Sequence, residues 1–212
     1  MYDKTTTIDA FLGATAAKQP IPGGGSIGAL TGALAAAIGE MTLNYSVGRK
    51  ANIPETDGIL RQSLVELTRA RGVMLQLMVE DQAAYDAFSA AQKIPAGAPN
   101  RQSQLDVTLL AAIRVPQAMA ATAVAILEVA DRVWEICNPH LLSDLAVCGE
   151  LAMATVRSGV YNVRANLPSV VDPRERQHIA EASEALIAHA TAIIKRSGVR
   201  IWERHAMEIT SG

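Results

Sequence analysis

A few polar residues stand in stretches that are otherwise small or apolar, and any chemistry of this chain has to start from them. The segment "SDLAVCGELAMATVRSGVYNVRANL" carries Ser143 and Asp144 at one end and Asn162 and Asn166 at the other. Burying such groups is costly unless each finds a partner, so they form either a structural network or a site. A carboxylate can move protons, and an amide can orient a ligand by donating and accepting at once. Asp81, flanked by Glu80 and Asp86 in "VEDQAAYDAF", is a second carboxylate of interest, although the same residues also read as a solvated helix face. Arg49 and Lys50 suit an anionic tail, or simply offset the dipole of a preceding helix end.

The run "QPIPGGGSIGALTGALAAAIGE" fits two well-known patterns at once. Gly23, Gly25 and Gly28 spell the glycine fingerprint of dinucleotide-binding folds, while Gly24, Ser26 and Gly28 spell the elbow that exposes a nucleophilic serine. Each of those motifs needs a strand before it, and here two prolines and a helical stretch precede the glycines. What survives is a glycine-rich helix start with free amides, suited to an anion or a polar ring edge, or glycines that only permit a sharp turn and close packing. Ser26 is expected to cap this helix rather than to act as a nucleophile.

Apolar residues recur at helical spacing almost throughout, which predicts an all-α fold: an antiparallel bundle of long helices in a single domain over residues 1–212. The expected helices run from Ile8 to Ala17, Ser26 to Val47, Glu55 to Gln92, Gln104 to Cys137, and Ser143 or Asp144 to Asn166. A last one follows the Asp172-Pro173 start signal. Gly48 is the expected terminator of the second, Pro116 is expected to kink the fourth, and Ser197-Gly198 to bend the last.

Half of the 212 residues are hydrophobic and only 4% aromatic, so small aliphatic side chains fill the core. A net charge of -2 gives no general attraction to nucleic acid. The N-terminus is polar where a secretory signal would be apolar, and the uncharged span from Gln19 to Gly39 is rich in glycine and alanine. A cytoplasmic protein with no membrane partner is expected. Cys137 and Cys148 have no metal-binding or disulfide spacing, and the four histidines form no helical metal pair, so no metal is expected.

In order and spacing, "PIPGGGSIGALTGALAAAIGEM", "NYSVGRK", "EDQAAYDAF" and "SDLAVCGELAMATVRSGVYNVRANL" resemble the cyclodeaminase domain of formiminotransferase-cyclodeaminase and its free-standing relatives, the methenyltetrahydrofolate cyclohydrolases. The resemblance covers nearly the whole chain. It implies a homodimeric, metal-free, helical enzyme acting on a reduced folate that carries one carbon, with or without a polyglutamate tail, and needing no cofactor beyond that tetrahydrofolate substrate. Two positions depart from the family: Ala51 follows Arg49 and Lys50 where a longer lysine run is common, and His140 stands where asparagine is common.

Under the resemblance, the reaction is hydrolysis of 5,10-methenyltetrahydrofolate to the 10-formyl compound, or the related cyclodeamination that releases ammonia. A catalytically silent folate-binding or interaction module is the non-enzymatic alternative. The expected roles are Asp144 as principal acid/base and Asp81 as second carboxylate. Asn162 and Asn166 orient the pterin or adduct. Gly23, Gly24, Gly25 and Ser26 form a substrate loop, Ser143 lies beside the catalytic carboxylate, and Arg49 and Lys50 hold the tail.

Overall fold

In a computed structural model, residues 1–210 are described, and the side chains of Val199, Trp202 and residues 205–210 lie outside the description. The helices are α1 (Ile8–Ala16), α2 (Gly24–Asn44), α3 (Pro54–Gln92), α4 (Arg101–Val133), α5 (Leu142–Asn166) and α6 (Pro173–Thr210). Short 3-10 turns at Pro139–Leu141 and Leu167–Ser169 flank α5. No strand occurs among the described residues.

Short connections force successive long helices to run antiparallel. Helices α2, α3, α4 and α5 close into a four-helix bundle in which α2 packs on α5, and α6 lies across α5 and α4. The interior is filled by fully buried Leu43, Leu60, Leu67, Met74, Ile126, Leu127 and Leu145, each contributing about 1.5–3 kcal/mol of transfer free energy. At Gly159 the carbonyl of Pro116 comes so near that an added Cβ would lie 2.7 Å from it, so the α4–α5 crossing depends on that missing side chain.

Helix α2 carries one charged residue, Glu40, and its carboxylate accepts hydrogen bonds from Arg71 Nε at 2.6 Å and Thr68 Oγ1 at 3.0 Å on α3. By length and composition α2 and α4 could each cross a membrane, but in this fold both are packed within the bundle. The N-terminal segment is tied to α3 by Gln82, fully buried, which accepts from the Tyr2 N–H at 2.7 Å and donates to the Tyr2 carbonyl at 2.8 Å. Tyr2 in turn meets buried Phe11 edge-on.

Helix ends differ from expectation in instructive ways. Helix α2 starts at Gly24 with Gly23 as its cap, so Ser26 sits inside the first turn and its hydroxyl is engaged elsewhere. It ends at Asn44, and Gly48, at φ +72°, closes the following turn with its N–H donating to Asp57 Oδ1. Helix α4 starts and ends earlier than expected, at Arg101 and Val133. Helix α5 starts at Leu142 without a side-chain cap, ahead of both Ser143 and Asp144. Asp172 does receive the Arg174 N–H at 2.9 Å, as the start signal of α6 required. Helix α6 runs through Ser197 and Gly198 without interruption, and there the Ser197 hydroxyl lies 2.6 Å from Asp131 Oδ1 and 2.9 Å from the Ile193 carbonyl, donating towards both.

Asp131 on α4 couples α6 to the bundle. Burial would raise its pKa, but hydrogen bonds from Arg196 and Ser197 outweigh burial and hold the carboxyl below the usual aspartate range. A depressed folded-state pKa stabilises the fold above the unfolded value, and that stability is lost as pH falls through the lower one. Asp131→Asn is therefore expected to lower the urea midpoint at pH 7. The gap to wild type should close as the pH falls below the ordinary carboxylate range; a gap unchanged at acid pH would remove the charge from the account.

Candidate active site

The glycine run and Asp81 meet. As a helix start without a side-chain cap, α2 leaves amide groups unpaired, and α3 places the half-buried carboxylate of Asp81 over them. Ser26, wholly buried, donates its hydroxyl to Asp81 Oδ2 at 2.9 Å and its backbone N–H to the same carboxylate. This approach is possible only because residue 25 is glycine: a Cβ there would lie 1.9 Å from Asp81 Oδ1. Burial raises the Asp81 pKa and the two Ser26 hydrogen bonds pull it down, leaving it above the ordinary value. A carboxylate so balanced can exchange protons nearer to neutrality than a solvated one.

Asp81 opens into a cavity of about 210 Å³ walled by α3, α4 and α5, with Tyr85, Phe88, Pro116, Asn162 and Asn166 among its lining residues. Asn162 and Asn166 are one helical turn apart, so both amides face it. Their donors are partly spent on the protein. Asn162 Nδ2 bonds the Ser158 carbonyl at 2.8 Å. Asn166 Nδ2 bonds two carbonyls, those of Asn162 and Ala112, each at 3.1 Å.

The Ala112 carbonyl needs that second bond because its helical partner would be residue 116, and Pro116 has no N–H. Proline thus opens a gap in α4 that Asn166 fills from α5. With both amide hydrogens used, Asn166 presents only its carbonyl oxygen as a free hydrogen-bonding atom. Asn162 keeps one hydrogen and its oxygen.

The other expected site residues lie elsewhere in the chain. Asp144 precedes Asn162 by eighteen positions on α5, roughly 27 Å at the standard helical rise. Ser143 is exposed beside it, and Arg49 and Lys50 follow the far end of α2, next to the α4–α5 connection, where the Asn138 N–H reaches Ser46 Oγ at 2.8 Å. The expected residues therefore form two groups at opposite ends of the bundle: Gly23, Gly24, Gly25, Ser26, Asp81, Asn162 and Asn166 at one, and Arg49, Lys50, Ser143 and Asp144 at the other. Exposed His140 and Ala51 also belong to the second end. Within a single chain no one pterin can touch both Asp81 and Asp144.

A larger cavity, about 610 Å³, lies between α4, α5 and α6 and is lined by Leu127, Leu145, Ile193 and Ile194, with Ser143 at its edge. Its lining is almost wholly apolar, so the smaller cavity, where titratable and amide groups converge, is the better place for proton chemistry. Tyr85, Phe88, Ser89 and Gln92 also line the smaller cavity, beyond the residues expected from the sequence. Their spacing from Asp81 along one helical face was the available signal. Among the described residues no cluster of three or more His, Cys, Asp or Glu side chains is arranged to hold a metal ion. Cys148, with its thiol pushed up to about 12 by burial, is inert at neutral pH.

The structure is thus an all-helical bundle in which a partly buried carboxylate overlies a glycine-opened helix start, and among the described residues no strand precedes the glycines as a dinucleotide or nucleophile motif would require. The chain belongs to the formiminotransferase-cyclodeaminase family, whose profile matches residues 7–185. It is 29% identical over 194 residues to a methenyltetrahydrofolate cyclohydrolase of Methylorubrum extorquens, covering 90% of this chain and 93% of that one. It is 25% identical to the formimidoyltransferase-cyclodeaminase of Gallus gallus over 88% of this chain, but spans only 35% of that longer protein. Its fold matches that of a formiminotetrahydrofolate cyclodeaminase from Thermotoga maritima with a TM-score of 0.85, at 22% identity, over 97% of this chain and 98% of the other.

If Asn166 exists to fill the gap left by Pro116, the two residues must be coupled. Asn166→Ala is expected to cost about 0.5–1.5 kcal/mol, the usual net worth of a hydrogen bond, since the Ala112 carbonyl is only partly buried. In a Pro116→Ala background the helix supplies its own N–H, and the same change should cost clearly less. A double-mutant cycle by urea denaturation measures the difference, and strict additivity would refute the coupling.

Proposed function

We propose that this chain hydrolyses 5,10-methenyltetrahydrofolate to 10-formyltetrahydrofolate, with Asp81 as its acid/base group and no cofactor beyond the folate. The observation that carries the reading is the raised, half-buried Asp81 carboxylate facing the cavity shared with Asn162 and Asn166. The relative from Methylorubrum extorquens, matched along most of both chains and named for this reaction, supports it.

The carbon bridging the two folate nitrogens is cationic and already electrophilic, so orientation and proton transfer suffice. Asp81 takes one proton from a water as its oxygen bonds that carbon. The tetrahedral adduct then breaks its bond to N5, which leaves with the proton returned by Asp81. The remaining hydroxyl proton passes to solvent as the formyl C=O forms. Ser26 holds the carboxylate in place throughout, and the free oxygens of Asn162 and Asn166 accept from the donor-bearing edge of the pterin.

Asp81→Asn keeps an acceptor for Ser26 but removes the base. Its turnover, followed by the loss of near-ultraviolet methenyl absorbance, is expected to fall on the order of a hundredfold or more. In wild type, the catalysed rate relative to the spontaneous one should climb as pH rises through a carboxylate pKa above the ordinary aspartate value of 3.8. Undiminished turnover in Asp81→Asn, with loss in Asp144→Asn, would return the chemistry to the far end. Silence with the methenyl substrate but production of it from 5-formiminotetrahydrofolate would mean a cyclodeaminase. Tight folate binding with neither reaction would mean a binding module.

The reading includes a cytoplasmic homodimer formed through α2. Its solvent side carries Ile27, Leu30, Leu34, Ala37, Ile38 and Met41, with Tyr45 just past its end, an apolar stripe at helical spacing with no charge among these residues. Leu34, 54% exposed near the middle, is the position to test. Leu34→Glu is expected to convert a dimer to a monomer in light scattering, and a wild-type protein monomeric at micromolar concentration would end this part of the reading.

A further inference from the structure

Building on the folate reading, we infer that Arg101 anchors the glutamate end of the substrate, in a groove that continues the Asp81 cavity along α3. The Asp81 cavity is small, but two of its lining residues, Phe88 and Gln92, also line a second cavity of about 240 Å³. That second space is bounded by Arg101, Gln102, Leu105 and Asp106 at the start of α4 and by Ser169 beyond α5. The two are therefore neighbouring compartments along one wall. From Asp81 to Gln92 the wall is about 16 Å long at the standard helical rise.

The chemistry of the wall changes along that length in a definite order. A carboxylate and two amides come first, then the rings of Tyr85 and Phe88, then a guanidinium. A folate has the complementary order: a pterin rich in donors, a flat p-aminobenzoyl group, and glutamate carboxylates. The p-aminobenzoyl group is rigid, so it carries the carboxylates well away from the reacting carbon and along such a wall.

Arg101 is placed to receive them. Its Nε donates to the Ile94 carbonyl at 2.9 Å, which fixes the guanidinium at the end of the groove. Among the described residues its two terminal nitrogens have no ion-pair or hydrogen-bond partner, unlike those of Arg132 or Arg196, which grip carboxylates. Asp106 lines the same cavity and opposes an anion, but its Oδ1 accepts from Gln102 Nε2 at 2.7 Å and it forms no ion pair with Arg101. Arg49 and Lys50, at the other end of α2, are roughly 30 Å from Gly25 by the length of that helix. A tail bound at the Asp81 end of the same chain meets Arg101 first.

The test compares 5,10-methenyltetrahydrofolate with 5,10-methenyltetrahydropteroate, which lacks the glutamate, in wild type, Arg101→Gln and Ser169→Asp. Ser169 is exposed, so its replacement adds a negative charge to the groove without touching the bond between Arg101 and Ile94. Wild type is expected to show a KM about tenfold lower for the glutamate-bearing substrate, the worth of one charge-assisted contact. Both variants should bring the KM ratio close to one while the kcat values for the two substrates stay matched. A ratio preserved in both variants would overturn the anchor. A ratio lost instead in Arg49→Ala or Lys50→Ala would move it to the far end. Wild type turning over neither compound would overturn the folate reading itself, and the anchor with it.

Discussion

The carboxylate of Asp81 seated on the open start of α2 is the interaction on which the rest of the site depends. Helix α2 has no side-chain cap of its own, and α3 supplies the acceptor from outside. A charged group and a helix start thereby meet one another's needs: unpaired N–H groups find an acceptor, and a partly buried carboxylate finds donors and the positive end of a dipole. Because the donors do not fully offset burial, the proton affinity of Asp81 stays raised. The arrangement that closes a helix is the one that leaves a carboxyl with raised proton affinity.

The other walls of the cavity are organised around a second deficit. Pro116 leaves the Ala112 carbonyl without its helical donor, and Asn166 reaches across from α5 to supply one. Gly159, one turn before Val163 on the same helix, lets α5 approach the Pro116 carbonyl closely enough for this to happen. Both polar walls of the site are thus places where one helix completes the hydrogen bonding of another. Partnering of this kind keeps the cavity polar without leaving buried groups unsatisfied, and among the described residues no buried side-chain nitrogen or oxygen lacks a partner.

Helices were readable from the sequence because apolar spacing and breakers such as Pro20, Pro22, Gly48 and Pro139 report local forces. The start of α2 was misread at Ser26 because a hydroxyl near a helix start usually caps it, and nothing local reveals that a carboxylate 55 residues later will claim it. Asp81 and Asp144 were likewise indistinguishable as isolated acids. Only the fold shows that one overlies the glycines while the other is a helix length away. Pro116 was legible as a disturbance of α4, but its compensation by Asn166 was not, since a missing N–H is a property of one helix and its repair is supplied by another.

Glu40 adds a polar clasp to the register of this geometry. The buried face of α2 is mostly glycine and alanine, and Gly32 and Gly39 seat it closely against Met74 and Leu67 of α3. The pairing of the single charge of α2 with Arg71 and Thr68 on α3 helps set its axial position against the helix that carries Asp81. Slippage by one residue would offer the carboxylate the Cβ of Ser26 in place of the bare Gly25. A clasp fifteen positions away from the glycine, near the opposite end of α2, thus acts as an index mark that helps keep carboxylate and glycine aligned.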